Sequence, residues 1–432
     1  MKKHPWYKPR RYLHFDSPLS VKNAEVIATN PDNVKSHSFY PFIAFSNLTK
    51  KIFFDKNAVK IKSKEKIRPI SYASHSDSAI YSYYSKMLSN NYEKLLSDHG
   101  LSKNVIAFRS LGKSNIDFAK QIFTEIEERK YCSAIGLDVT GFFDNLDHMH
   151  LKKMWAKVIG KSTLPNDHFA VFKSISSFST VDKDKLYKEF DIAIHNPKNN
   201  RTRVCSPKDF RNRVRKNKLI KKNKAPFGIP QGSPISAILS NIYMFDFDKT
   251  IKEYVNNIGG SYYRYCDDMM IIVHPEERDK TISYVTSEIL KLKLEINQKK
   301  TEISNFSLTG GKQKSDRPLQ YLGFTFDGER ILIRSAAFAR FSGKMKGGVK
   351  LAQRTCEKRN IIRQEKGHAE RGLYKRKIYE RYSHLGKQNF LTYGYRAADK
   401  MGSKSIRKQL KPLWNRLQKE IENKKNLNRV SN

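Results

Sequence analysis

The sequence predicts an α+β fold divided among more than one subdomain, and three observations predict it. The chain has 432 residues, enough for two or three packed units. Its 38% hydrophobic and 12% aromatic content suits a buried core. Between 131 and 330 short apolar runs alternate with helical patterns, and beyond 331 the pattern is mainly helical.

Residues 1–45 are rich in Pro, His, Asn and Ser and read as an irregular basic extension. Residues 46–130 open with strand-like runs at Lys51-Ile52-Phe53-Phe54 and Ala58-Val59-Lys60-Ile61-Lys62. A helix follows, with apolar positions Ile80, Tyr83, Tyr84, Met87 and Leu88. Within 131–330, the stretch 200–224 is basic around Arg211, Arg213, Arg215 and Lys216, and a solvated face and a phosphate-contacting surface fit it equally. From 331 to 432 rings such as Tyr374, Tyr382, Phe390 and Trp414 recur among Lys and Arg. Rings at helical spacing are read as core, so the basic face alone points to nucleic acid.

The formal net charge is +41, from 83 Lys+Arg against 42 Asp+Glu. A compact body so charged repels itself unless a polyanion is close, and neutralised phosphates release condensed counterions. A basic membrane-surface protein competes with that reading, but no apolar stretch is long enough to span a bilayer and no lipidation signal or signal-peptide core is present. Cys132, Cys205, Cys266 and Cys356 lie far apart with no Cys-x-x-Cys pair. This argues against a zinc ribbon or a disulfide framework and for a reducing cytoplasm.

The chemistry concentrates in three places. Tyr265-Cys266-Asp267-Asp268 lies between the apolar runs Tyr262-Tyr263 and Met269–Val273, which reads as strand, tight turn, strand with two acids at the tip. Alone, Asp-Asp there is a solvated turn. Upstream, the run Ala134–Leu137 ends at Asp138 and leads through Phe142-Phe143-Asp144 toward a helix; alone, Asp138 is a helix N-cap. If Asp138 faces the 267–268 turn, three carboxylates surround a space for two Mg²⁺. Two metals about 3.5–4 Å apart activate a 3′-hydroxyl and stabilise a pyrophosphate leaving group. Between the acids, Gly228-Ile229-Pro230-Gln231-Gly232-Ser233-Pro234 fixes an irregular loop before a helix, with backbone N–H groups and the Gln231 amide open to a nucleotide.

In this order, Asp138 with Phe142-Phe143-Asp144, the Gly-Ile-Pro-Gln-Gly-Ser-Pro loop and Tyr265-Cys266-Asp267-Asp268 resemble the palm motifs of reverse transcriptases. Leu294–Thr301 is similar to the next palm motif, with Lys300 at its lysine; Tyr321-Leu322-Gly323-Phe324 resembles the primer-gripping hairpin; Lys66–Ile70 and Phe108–Gly112 resemble the fingers. The match spans about residues 50–330. It implies a right-hand polymerase: fingers at 46–130, a palm with a ferredoxin-like antiparallel sheet at 131–330 (160–225 a finger-side insertion) and a helical basic thumb at 331–432. It also implies that Asp138, Asp267 and Asp268 bind two Mg²⁺, that Lys66 and Arg68 contact the triphosphate, and that Gln231 and Gly232 line the nucleotide pocket. Lys300 would assist pyrophosphate departure, and Arg109, Tyr265, Leu322 and Gly323 would contact nucleic acid. Phe143, five places after the first acid, would pack under the incoming sugar and exclude a 2′-hydroxyl; as a core ring it would leave sugar choice open.

The hundred or so residues after Gly323 suit a thumb rather than an RNase H domain or a zinc-containing endonuclease. The retron-type Asn-Ala-x-x-His element is absent, and Leu308-Thr309-Gly310 departs from that group's Val-Thr-Gly at its first residue. Lys8-Pro9-Arg10-Arg11-Tyr12, Ser71–His75 and Tyr382-Ser383-His384 with Asn389-Phe390 look similar to bacterial defence-associated enzymes of the unknown-group clade, in particular its second class. That resemblance implies an antiphage role and a structured noncoding RNA as template, with dNTPs and a DNA product. A retron-type or group II intron-type enzyme, or an RNA-binding splicing factor, is the alternative.

Overall fold

The computed structural model describes residues 4–55 and 60–423. Ala58 and Val59 of the second strand-like run lie outside the described residues, as do the side chains of residues 50–55, 60–64 and 66. Among the described residues the strands, in chain order, are β1 (Phe42–Asp55), β2 (Lys60–Tyr72), β3 (Cys132–Asp138), β4 (Ser179–Asp182), β5 (Ile220–Lys222), β6 (Ser261–Tyr265), β7 (Asp268–Val273), β8 (Glu302–Thr309), β9 (Lys312–Ser315), β10 (Leu319–Tyr321), β11 (Phe324–Phe326) and β12 (Ile331–Ile333). They form three sheets, ordered β2-β1-β4-β5, β6-β7-β3-β8-β9 and β10-β11-β12.

The five-stranded sheet organises the molecule. Its neighbours all pair antiparallel. The order β6-β7-β3-β8, with helices between β3 and β6 and the helix Arg278–Lys291 between β7 and β8, is ferredoxin-like. Both faces are covered, which explains the unbroken apolar run of β7. Ile135, Leu137, Met269, Ile271 and Val273 point into one core. Ala134, Met270, Ile272 and Phe306 point into another, beneath the helix Asn115–Arg129 and the C-terminal helices. Alternate side chains of one strand thus anchor two layers. Among the described residues, no helix is long and apolar enough to cross a membrane.

The helix predicted after the first strands is His75–Asp98, N-capped by the Ser74 hydroxyl. Ile80, Tyr84, Leu88, Tyr92 and Leu96, four residues apart, are buried along one stripe, while Tyr83 and Met87 are half-buried beside it. Each large side chain so buried contributes roughly 1.5–3 kcal/mol. The N-terminal residues are more ordered than an irregular extension. Ser20 caps the helix Val21–Thr29, and Asn30, followed by Pro31, starts Pro31–Ser36. Asp16 accepts bonds from the backbone N–H groups of His75 (2.9 Å) and Ser76 (2.8 Å), tying this arm to the start of the long helix. Within 160–225, β4 runs parallel to β1, pairing Phe42 with Thr180, so this segment extends the first sheet. Its Phe210 and Val214 are buried with Leu13 and Phe15, and Arg213 pairs with Glu189 at 2.9 Å.

Past β12, the helix Ser335–Glu365 buries Phe341, Met345 and Val349 at four-residue spacing against the second core. The helix Phe390–Met401 begins with a capping box from Asn389 and Thr392, and Pro412–Glu422 buries Leu413, Leu417 and Ile421.

Candidate active site

Register brings the acids together. Asp138 ends β3, Asp268 begins β7, and the two are directly paired. The Val139 N–H donates to the Asp267 carbonyl at 3.3 Å. Tyr265 pairs with Asp268, so Cys266 and Asp267 form a two-residue hairpin turn. Cys266 has φ +62° and Asp267 is not at positive φ, the pattern of a type II′ turn. Glycine would ordinarily sit there. The buried Arg264 holds the strained residue instead, donating to the Cys266 carbonyl at 3.1 Å. Its guanidinium is also bidentate to the buried Asp248 (Nε–Oδ1 2.6 Å, Nη2–Oδ2 2.5 Å), and it donates to the Asn241 side-chain oxygen at 3.1 Å. The Tyr262 hydroxyl donates to the same Asp248 at 2.7 Å. The turn therefore rests on a satisfied buried network rooted in two helices. In this antiparallel sheet the direct cross-strand pair sets the acids side by side.

The electrostatics are those of crowded acids. Asp268 opens to solvent at its surface yet is ringed by protein. Desolvation, then Asp267 and Asp138, push its carboxyl up to about 6, against the pull of Lys300 and Arg334. The Lys300 ammonium pairs with the Asp138 carboxylate. Among the described residues, no three His, Cys, Asp or Glu side chains are gathered at metal-ligand geometry in this conformation. To join Asp267 and Asp268 around a cation, Asp138 has to exchange Lys300 for that cation. The donor set fits the exchange: three carboxylates, hard oxygen ligands for a hard divalent ion, held within one strand pair and its turn. Burial keeps the Cys266 thiol well above its ordinary range, which removes it as a thiolate ligand.

The glycine loop fits between two elements. The Gly228 N–H donates to the Leu146 carbonyl and the Ile229 N–H to the Phe143 carbonyl, both at 2.9 Å, while the Ser71 N–H of β2 donates to the Gln231 carbonyl at 2.7 Å. Gly232 has φ +107°, and a Cβ on it would lie 2.7 Å from the Ser71 carbonyl oxygen and 3.2 Å from Ile70 Cγ2. The loop thus lies on the face of β2 that carries Ile70. By alternation, the exposed Arg68 shares that face. The Gln231 amide reaches toward Asp144 at 3.5 Å. Phe143 is half-buried in a 3₁₀ turn, edge-on to Phe142 at 5.6 Å. Gly232→Ala is expected to cost about 1–3 kcal/mol of stability and to depress activity further, because β2 must shift away from the loop. Thermal unfolding and an activity assay at a temperature where both proteins are folded check this, and equal values for the variant and the parent would refute it.

The turn Leu322–Gly323 joins β10 to β11, with φ +45° and +95°, the both-positive pattern of a type I′ turn. Asn115 Nδ2 donates to the Leu322 carbonyl at 3.0 Å, and the Arg334 N–H to the Gly323 carbonyl at 3.1 Å. Tyr321 and Arg334, on either side of this turn, both act electrostatically on or with Asp268, which puts the turn beside the acids. Tyr265 is half-buried, edge-on to Phe118 at 6.3 Å. The side chain of Lys66 is outside the described residues.

Arg109 departs from the expectation of nucleic-acid contact. Its side chain is 3% exposed and bidentate to Glu93 (2.8 and 2.6 Å). It also donates to the carbonyls of Ser102 and Val105. The guanidinium is consumed in closing the 101–108 loop onto the helix His75–Asp98. Sequence reasoning missed Arg264, Asp248, Asn241 and Arg334. The signal for Arg264 was parity: in Ser261-Tyr262-Tyr263-Arg264-Tyr265 it shares the buried side with Tyr262.

The chain is similar to known proteins. Residues 56–326 match the family described as reverse transcriptase (RNA-dependent DNA polymerase). No curated protein sequence matched the chain. Among solved structures, the apo telomerase of Candida tropicalis truncated from its C-terminal domain is similar at 11% identity and a TM-score of 0.42, over 73% of this chain and 61% of that one. The telomerase of Candida albicans, in complex with a TWJ fragment of telomeric RNA, is similar at 11% identity and a TM-score of 0.41, over 93% and 64%. The chain thus spans less than two thirds of the length of these structures. With its match covering well over half of the residues, the chain belongs to the reverse transcriptase (RNA-dependent DNA polymerase) family.

Proposed function

We propose that the protein copies an RNA template into DNA from dNTPs, with Asp138, Asp267 and Asp268 holding two Mg²⁺. The supporting observation is the direct pairing of Asp138 with Asp268 across adjacent strands. When bound, the two ions supply activation of the primer 3′-hydroxyl and neutralise charge on the departing pyrophosphate. The protein's own residues do the rest. Arg68, with Lys66, clamps the triphosphate; Gln231 and Gly232 shape the nucleotide pocket; Lys300, released from Asp138, donates a proton toward the leaving pyrophosphate. Tyr265 and the Leu322–Gly323 turn contact the primer–template. On this reading 46–130 are fingers, 131–330 palm with 160–225 as a finger-side insertion, and 331–432 thumb.

The finer reading is a bacterial defence enzyme of the unknown-group clade, working in the cytoplasm on a structured noncoding RNA. Its support is the resemblance carried by Lys8–Tyr12 and Ser71–His75, the net charge of +41, which suits a resident RNA, and four cysteines that are all free. Primer extension on a defined RNA template, with Mg²⁺ supplied and withdrawn, tests the activity; absence of dNTP incorporation would reject it. Sequencing the nucleic acid that co-purifies with the protein tests the template.

Phe143→Ala is expected to raise ribonucleotide incorporation about ten- to a hundredfold relative to deoxynucleotide, since a half-buried ring excludes a 2′-hydroxyl by contact alone. Competition between dNTP and rNTP measures the ratio, and an unchanged ratio would assign the ring to the core.

A further inference from the structure

A cavity of about 900 Å³ opens between the helix Ser335–Glu365, the segment 366–375 and the helix Arg376–Tyr382. It is built, not a gap. Asn360 brackets Arg371 with two bonds, accepting from its N–H (3.1 Å) and donating to its carbonyl (3.0 Å). Cys356 Sγ donates to the same carbonyl at 3.3 Å, and Arg363 Nε donates to the Ala369 carbonyl at 2.7 Å. These bonds fold the segment back along the helix and leave a fixed concavity. A Cβ at Gly348 would lie 2.7 Å from Tyr382 Cε2, so the bare glycine lets that ring close one end.

The lining has two chemistries at once. Six Lys or Arg residues face the cavity and no Asp or Glu does. Among the described residues, Arg359, Lys366, Arg371, Lys377 and Arg381 have no carboxylate at ion-pair distance, although surface arginines elsewhere, such as Arg376 with Glu380, are paired. Between the cations stand apolar groups open to water: Leu351 is 67% exposed, Tyr374 61% and Ile362 51%. On the helix, Leu351, Thr355, Arg359 and Ile362 fall four, four and three residues apart, which is a single stripe that the C-capping Lys366 continues. Gly348, at the near end, lies thirteen residues past Ser335, ~20 Å along the helix from the end that touches the Leu322–Gly323 turn. The cavity is therefore a separate site from the acids.

We infer that this cavity binds a short unpaired stretch of RNA, phosphates on the cations and bases against Tyr374 and its apolar neighbours. The cations require a polyanion. The exposed apolar walls require that the polyanion also present apolar faces. A duplex keeps its base faces stacked inside and offers phosphate and sugar alone, whereas an unpaired strand offers both. The volume lies at the upper end of the ~300–1,000 Å³ of small-ligand sites, suited to a few nucleotides rather than to one phosphate. The inference does not depend on polymerase activity, since a chain that made no DNA would still carry the pocket.

Cys356 reports on occupancy, because it lines the cavity while Cys132, Cys205 and Cys266 are buried. The full chain, stripped of nucleic acid in high salt, is mixed with an eight-nucleotide unpaired RNA, a blunt duplex of the same sequence, or tripolyphosphate, and alkylation of Cys356 by a maleimide is timed. The unpaired RNA is expected to slow alkylation at least tenfold, and the duplex and tripolyphosphate less than twofold. Arg359→Glu with Arg381→Glu should abolish protection with thermal unfolding unchanged. Tyr374→Ala, which leaves every charge in place and alters an exposed ring, should weaken it severalfold and stands in if the charge variant does not fold. Equal protection by duplex or by tripolyphosphate, or full protection in Tyr374→Ala, overturns the inference.

Discussion

Asp267→Ala with Asp268→Ala is expected to lower RNA-templated DNA synthesis by roughly a thousandfold or more while leaving thermal stability at neutral pH unchanged or raised. The two halves of that result have one cause. Asp138, Asp267 and Asp268 are brought within one strand pair and its turn, and desolvation and mutual repulsion push the Asp268 carboxyl up to about 6. An acid whose folded pKa lies above its unfolded value works against folding once the pH exceeds the unfolded value. At neutral pH the Asp268 carboxylate thus opposes folding, and its removal relieves that opposition. A structural pair would behave in the opposite way, losing stability on truncation. Primer extension and thermal unfolding of the same preparations measure both quantities. If dNTP incorporation stays within tenfold of the parent, the carboxylates are not the metal site. If the fold collapses instead, they are a structural feature. Asp138→Asn separates the contributions further, because it also frees Lys300 from its pair.

The elements legible in the sequence were those whose cause is local. The unbroken run Met269–Val273 after two acids announces a strand, and the fold covers that strand on both faces. Gly and Pro at 228–234 announce an irregular loop, but not that the Ser71 backbone is what lies against Gly232. The pairing of Asp138 with Asp268 spans well over a hundred residues, and the order of motifs pointed to it before any geometry did. What was not legible depends on partners far away in the chain. Arg109 lies in a stretch that resembles the fingers, so it reads as a nucleic-acid contact until Glu93 is found beside it. The extension at 1–45 looks irregular because its order comes from outside: Asp16 bonds residues 59 and 60 positions away. Arg264 reads as one more cation in a chain with 83 of them. Only the strand's in–out alternation, applied to Tyr262 and Arg264 together, places it inside, and only the fold supplies Asp248 to receive it.

Arg264→Met is therefore the second large effect, expected to cost about 3–5 kcal/mol, with activity falling more than the folded fraction explains. Both members of the Arg264–Asp248 pair are fully buried. Truncating the arginine strands the Asp248 carboxylate with the Tyr262 hydroxyl as its remaining partner and leaves the Asn241 side-chain oxygen without its donor. It also releases the Cys266 carbonyl, a contact by which the network restrains a non-glycine residue at φ +62°. The stranded charge accounts for the stability loss and the released turn for the activity loss, and a second substitution separates them. Arg264→Met with Asp248→Leu removes both charges and is expected to recover most of the stability, because uncharged buried replacements are often neutral or better. It restores nothing to the turn, so activity is expected to stay at least tenfold down at a temperature where all three proteins are folded. Denaturant midpoints and primer-extension rates on parent, single and double variants provide the cycle. Recovery of activity along with stability would mean that Arg264 serves only the core, and that the turn holds the acids in place without it.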